Sequence, residues 1–287
     1  MSIDTHVHLV DDPARGYRWI DAPGHERIRQ RFDLDDLGDE LERAAVDSAL
    51  WIEPGLRELE PTLSALDLAR ERPELAGVVG WIDAQTDPRR VIAAYRDHAG
   101  GDRLVGVRDH VQRYDESYLD SPAARRSLNA LGEEGLPYEF IVRRAQLASA
   151  ARAARAAPFT RFALTHMGYG PFDGSEWDLW REGIMALGEL PNVVVKVSAI
   201  PTASSPHLRA IREVVLEAFG PHRMMLGSNW PLCLLDGTYG ESWDRVTGVL
   251  DGLTMSERRR VATGTATEFY RLSPGGAANE AKRSGRA

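Results

Sequence analysis

Apolar residues in this chain fall into short, nearly unbroken runs of Val, Ile, Leu and Ala, separated by stretches whose apolar positions recur with helical spacing. Runs of the first kind read as strands buried on both faces, the pattern of a parallel sheet. They are predicted at residues 2–8, 48–53, 77–83, 104–110, 137–142, 161–166, 193–199 and 224–229. Helices are predicted between them at 34–46, 58–72, 88–98, 122–134, 144–157, 177–190 and 206–219, with a final one over 256–270. Asp87-Pro88 and Ser121-Pro122 each set a capping side chain before a proline at the first helical position, and Thr254 is the cap expected for the final helix. Strand and helix alternating eight times within about 250 ordered residues fits a single (β/α)8 TIM-type barrel. The barrel is expected over residues 1–272, with the Gly-, Ala-, Ser- and charge-rich residues 273–287 as a disordered tail. A doubly wound open sheet is the competing α/β architecture.

The placement of polar side chains separates the two. His6, His8, Glu53, Asp83, Arg108, His110, His166, Lys196, Ser198 and Asn229 stand at or near the ends of predicted strands. A barrel gathers those ends at one mouth, whereas an open sheet strings them along an edge. The first strand, Ile3-Asp4-Thr5-His6-Val7-His8, places two histidines two residues apart and therefore on one face. Neutral imidazole is both a metal ligand and a hydrogen-bond donor to a substrate oxygen. A frayed terminus carrying two surface histidines is the plain alternative.

Charge and composition narrow the partners. A formal charge of −8 argues against nucleic acid or an anionic membrane as the main partner, and no run approaches the ~20 apolar residues of a membrane span. The first residues lack a basic segment followed by an apolar one, so no signal peptide is expected. Cys233 is the sole cysteine, which rules out an intrachain disulfide and suits a reducing cytoplasm; between Leu232 and Leu234 it reads as a small buried hydrophobe. The expected partner is a small-molecule substrate, with homo-oligomerisation left open.

Asp4-Thr5-His6-Val7-His8, Gly106-Val107-Arg108, Thr165-His166-Met167-Gly168, Val195-Lys196-Val197-Ser198 and Gly227-Ser228-Asn229-Trp230-Pro231 follow one another as in the amidohydrolase superfamily. Over residues 2–272 the chain most resembles the superfamily's lactonase branch, which includes sugar-lactone hydrolases and 2-pyrone-4,6-dicarboxylate lactonase. The resemblance implies a (β/α)8 barrel that hydrolyses an ester or lactone at its mouth. It also implies that no metal is required, or that His6, His8 and His166 hold one divalent ion such as zinc. A binuclear centre is not expected, because Arg108 and Glu139 occupy the neighbourhoods of the superfamily's strand-four lysine or glutamate and strand-five histidine.

Read physically, His6, His8 and His166 either polarise a carbonyl directly or hold the metal that does. Arg108 suits a bidentate grip on a carboxylate, with an ion pair to a rim acid as the alternative. Lys196 interrupts a run of valines, so its ammonium needs either a buried partner or the mouth. Ser198 shares its face. His110 and Glu53 are further candidates for substrate binding, and Tyr17 and Trp19 have the character of a lid. Asn229 departs from the resembled pattern, which has aspartate there as the base that deprotonates water. Three readings stay open. The Asp-to-Asn change was introduced to hold a ligand unhydrolysed; the chemistry needs no base here or takes it from His166 or Glu53; or the chain is a silent binding protein. The expected activity is opening of a small anionic or sugar-derived lactone or cyclic ester, the alternatives being a metal-dependent decarboxylase of the same superfamily and the silent binder.

Overall fold

A computed structural model of the chain describes residues 1–202 and 206–272; the tail expected at 273–287 lies outside the described residues. Eight parallel strands run in chain order: β1 (Ile3–Val7), β2 (Ser48–Ile52), β3 (Leu75–Trp81), β4 (Leu104–Asp109), β5 (Tyr138–Phe140), β6 (Phe162–Leu164), β7 (Val193–Val197) and β8 (Met224–Leu226). The sheet curls back on itself just past β8, where the Asn229 amide donates to the His6 carbonyl (3.0 Å) and the His8 amide to the Trp230 carbonyl (2.8 Å). The architecture is the (β/α)8 barrel expected.

Strand alternation sorts side chains between two cores. Val193, Val195 and Val197 of β7 face outward into the layer shared with the helices, while Val194 faces the barrel interior. The same alternation turns Lys196 inward from β7, Glu139 inward from β5 between Tyr138 and Phe140, and Arg108 inward from β4 beside outward-facing Val107. In β1 the register slips by one residue between Asp4 and Val7. Ile3 then belongs to the interior core and Val7 to the outer one, so the bulge lets His6 and His8 flank an outward Val7.

The outer layer comprises α1 (Leu34–Arg43), α2 (Glu60–Glu71), α3 (Arg89–Arg96), α4 (Pro122–Glu133), α5 (Leu147–Ala156), α6 (Trp177–Gly188), α7 (Leu208–Phe219) and α8 (Tyr239–Gly248). Ser121 caps α4 as expected, its hydroxyl accepting from the Ala124 amide; α3 instead starts one residue later than expected, at Arg89, with Pro88 in the capping position and Asp87 accepting the Arg89 amide from outside the helix. Sequence reading missed α8, whose start is marked by a capping box between Thr238 and Glu241. The helix expected over 256–270 is present in three parts: α9 (Met255–Arg259), a π turn at Arg260–Gly264, and α10 (Thr265–Tyr270). Ala266, Phe269, Tyr270 and Leu272 share the interior core with Ile3, Val105 and Val194, which lie at the beginnings of their strands, so α10 plugs the floor of the barrel.

Candidate active site

His6, His8 and His166 meet at the C-terminal ends of β1 and β6, opposite α10. His6 and His8 approach with Nε2 atoms 3.2 Å apart, and the His166 ring lies 4.5 Å from that of His6, centroid to centroid. His8 Nδ1 lies 2.8 Å from the Ile52 carbonyl, which can only accept, so Nδ1 carries the proton and Nε2 keeps its lone pair. His8 therefore has no N–H to offer a substrate. His6 Nδ1 is buried without a partner. Burial first, and then the positive charges around them, hold all three imidazoles neutral: His8 is pushed down to about 3, and His6 and His166 fall well below their usual value.

His166 does not end a strand as the sequence suggests. β6 stops at Leu164, and His166, Met167, Gly168 and Tyr169 all take left-handed backbone angles, with φ between 52° and 62°. A side chain at Gly168 would press to 2.6 Å from Leu147 Cδ2, and the turn is pinned by the Trp180 indole donating to the Met167 carbonyl (2.8 Å). Three non-glycine residues in this region store strain of roughly 1–2 kcal/mol each. The strain turns the His166 ring to Ser198, whose Oγ lies 2.7 Å from Nδ1, and sets Tyr169 5.6 Å away, ring to ring.

Arg108 and Lys196 are both committed within the protein. Arg108 Nε donates to Glu53 Oε1 (2.7 Å) and Nη2 to the Glu53 carbonyl (2.6 Å), while Nη1 is buried with no partner. Glu53 Oε1 also receives His110 Nε2, and Oε2 accepts the Gly55 amide at 2.8 Å. Burial alone would raise the Glu53 carboxyl, but the charges and hydrogen bonds of His110 and Arg108 outweigh it and hold the group well below the usual carboxylate range. Glu53 is thereby a poor base, and its carboxylate oxygens are taken by Arg108, His110 and the Gly55 amide, while His110 Nδ1 lies 3.2 Å from Gln112 Nε2. Of the two settings open to Lys196, the structure displays the buried partner. The ammonium is fully enclosed in the barrel, donating to Glu139 Oε1 (2.7 Å) and the Thr5 carbonyl (2.7 Å). Burial pushes it down to about 8 despite the Glu139 charge.

Of the two lid candidates, Tyr17 is buried with its hydroxyl on Asp11 (2.5 Å). Trp19 is half-buried, 5.8 Å from the His8 ring, its indole donating to the Pro54 carbonyl (2.8 Å). Asn229 also takes a left-handed conformation (φ 65°), one that asparagine tolerates better than most residues. Sequence reading assigned no role to Asp4, yet its buried carboxyl fastens this corner. Oδ1 accepts the His6 amide (3.0 Å) and the Ser228 amide (2.9 Å), and Oδ2 accepts the Tyr239 hydroxyl (3.0 Å). Its signal was available, since an acid inside an apolar strand demands donors. Gly227 is required by the same corner: a side chain there would sit 2.8 Å from His6 Cβ.

The donors partly fit a divalent ion. Two imidazole nitrogens on one ion at ~2.0–2.1 Å stand roughly 3.3 Å apart, and the His6–His8 separation is 3.2 Å with the His8 lone pair already turned inward. His166 does not complete the set, and among the described residues no three His, Cys, Asp or Glu side chains are grouped to hold an ion.

The chain is 28% identical over 292 residues to an L-fucono-1,5-lactonase of Burkholderia ambifaria, covering 94% of this chain and 95% of that protein. A solved amidohydrolase of Burkholderia multivorans with bound zinc superposes with a TM-score of 0.86 at 27% identity, covering 95% of this chain and all of the other. The 5-carboxyvanillate decarboxylase of Sphingomonas paucimobilis, at 15% identity and a TM-score of 0.64 over 95% of this chain and 99% of its own, shares the fold alone. The amidohydrolase family model matches residues 3–272. The barrel agrees with that match, and the chain belongs to the amidohydrolase family of hydrolases.

Proposed function

We propose that the protein opens a small lactone or related cyclic ester by attack of water at the barrel mouth. The observation that carries this is a pair of buried, unpartnered polar atoms, His6 Nδ1 and Arg108 Nη1, in a cluster of neutral imidazoles. Buried polar groups left unsatisfied by the protein mark a place where a polar ligand belongs. The likeness to the fuconolactonase supports a lactone as that ligand.

The residues divide the work as follows. Arg108 Nη1, its guanidinium fixed by Glu53, donates to the carbonyl oxygen and gains strength as negative charge develops there. His166 takes the proton of the attacking water at Nε2 when Ser198 accepts from Nδ1–H, and returns it to the leaving alkoxide. Asn229 orients the water without accepting its proton. A divalent ion held by His6 and His8 would, when bound, supply further polarisation of the carbonyl. The product is the hydroxy acid, with release of one proton at neutral pH.

The test is a panel of sugar 1,4- and 1,5-lactones and 2-pyrone carboxylates, followed with a pH indicator against the buffer rate, with and without added zinc. Acid release above buffer, abolished in His166→Ala, is the expected result. Tight binding without turnover would instead establish the silent binder, the reading that Asn229 favours.

A further inference from the structure

We propose that Arg18, Arg57 and Arg113 form an anion-binding rim at the mouth, which selects substrates carrying an oxyanion substituent, carboxylate or phosphate, beside the scissile ester. The proposal rests on the hydrolytic reading above and names the substrate class.

Three loops interlock at one place. Trp19, next to Arg18, anchors the loop after β1 through its indole on the Pro54 carbonyl; the next carbonyl, Gly55, accepts Arg113 Nη2 at 3.1 Å. Arg57, two residues on, lies with its guanidinium carbon 5.6 Å from the Tyr114 ring centre and 5.9 Å from that of Trp81, and holds a left-handed φ of 62°. The junction sits directly on the site. A side chain at Gly55 would meet His110 Cε1 at 2.8 Å and Arg113 Nη2 at 2.9 Å, and His110 binds the Glu53 that holds Arg108.

Among the described residues none of these cations has a carboxylate within ion-pair distance, although the chain has an excess of acids and the Glu53 charge reaches Arg113. The acids nearest Arg57 in sequence, Glu58 and Glu60, are both taken by Arg15, which also binds Asp11. Glu53 is paired with Arg108 and His110, while Asp109 and Asp83 keep their charges but turn their oxygens to the Ala84, His110 and Gln85 amides and the Tyr118 hydroxyl rather than to the rim arginines. Arg113 feels the other two: burial first, then the charge of Arg18 and, against the opposing pull of Glu53, that of Arg57 push its guanidinium below its usual range. Like charges held together at a mouth, in a chain of net charge −8, focus a positive field where a substrate enters. Arg108 and Lys196 are already neutralised by Glu53 and Glu139, so the rim, not they, supplies net positive charge.

The experiment has two independent readouts. Calorimetric binding of tricarballylate and of inorganic phosphate is measured on the wild type and on Arg18→Ala, Arg57→Ala and Arg113→Ala. In parallel, kcat/KM is compared between a carboxylate-bearing and a neutral lactone. Each alanine variant should weaken anion binding about three- to fivefold and lower the charged-to-neutral preference by a similar factor, with Arg→Lys variants recovering most of it. In the wild type, salt should erode the preference, a check that needs no variant. Tighter binding of tricarballylate identifies a carboxylate as the natural substituent, and tighter binding of phosphate a phosphoryl group. Anion binding that is unchanged in all three variants and insensitive to salt overturns the rim. Arginine-dependent anion binding with no lactone turned over leaves the rim standing and overturns the hydrolytic reading alone.

Discussion

Replacing Glu53 by glutamine tests whether the site is organised around one buried carboxylate. Glu53 and Arg108 are each 2% exposed in their side chains and 2.7 Å apart, and His110 and the Gly55 amide complete the set of donors. Glutamine keeps the shape but has one acceptor oxygen where two were used, so its NH2 must face a donor. It also leaves the Arg108 charge uncompensated in the interior. Breaking a buried pair from one side costs about 3–5 kcal/mol. At 2–4 °C per kcal/mol for a domain of this size, Glu53→Gln should lower Tm by roughly 10 °C. The pH dependence provides an internal check. The folded pKa of Glu53 lies below its ordinary value of 4.5, so its stabilisation is complete above that pH and is lost as pH falls further towards the folded value. The gap in Tm between wild type and Glu53→Gln, read by calorimetry, should therefore be widest near neutrality and narrow below pH 4.5. A variant melting within about 2 °C of wild type at pH 7 would show that Arg108 does not depend on this carboxylate.

Asn229→Asp should raise kcat by at least ~10²-fold and introduce an acid-side limb in the pH–rate profile; equal rates for both forms would leave His166 as the sole base. Elemental analysis after gentle purification should find at most one divalent ion per chain, lost in His8→Gln, and two tightly held ions would refute the two-nitrogen site. Cys233, buried with its thiol pushed up to about 12, should resist iodoacetamide in the native protein and react only once unfolded, as read by mass spectrometry.

The barrel was legible because its strands carry their burial in their composition: Val193–Val197 admits only one non-valine, and that residue turned out to be the inward ion-pair partner. What the linear pattern could not show was who faces whom across the interior. Lys196 and Glu139 lie on β7 and β5, 57 residues apart, and whether a strand lysine reaches solvent or a carboxylate depends on that pairing. The same holds for Arg108 and Glu53. His166 was found but its backbone was not, because nothing short of Gly168 announces a left-handed turn, and the turn is imposed from outside by Trp180 and Leu147. Helix α8 escaped because Gly237, Gly240 and Gly248 dilute its apolar pattern, although its capping box was in plain view.

The plug at the barrel floor ties the order of synthesis to the electrostatics above it. Tyr270 donates its hydroxyl to Glu139 at 2.5 Å, and its ring lies 5.5 Å from the Lys196 ammonium. All eight strands precede this residue in the chain, so the whole sheet has been made before the group that closes it from below. Tyr270 covers Glu139 and Lys196 from beneath, and burial there lowers the lysine to about 8. The final helical turn thus belongs to the burial that lowers the Lys196 ammonium while leaving it charged at neutral pH, so the pocket's foundation is held by an ion pair covered from the far end of the chain.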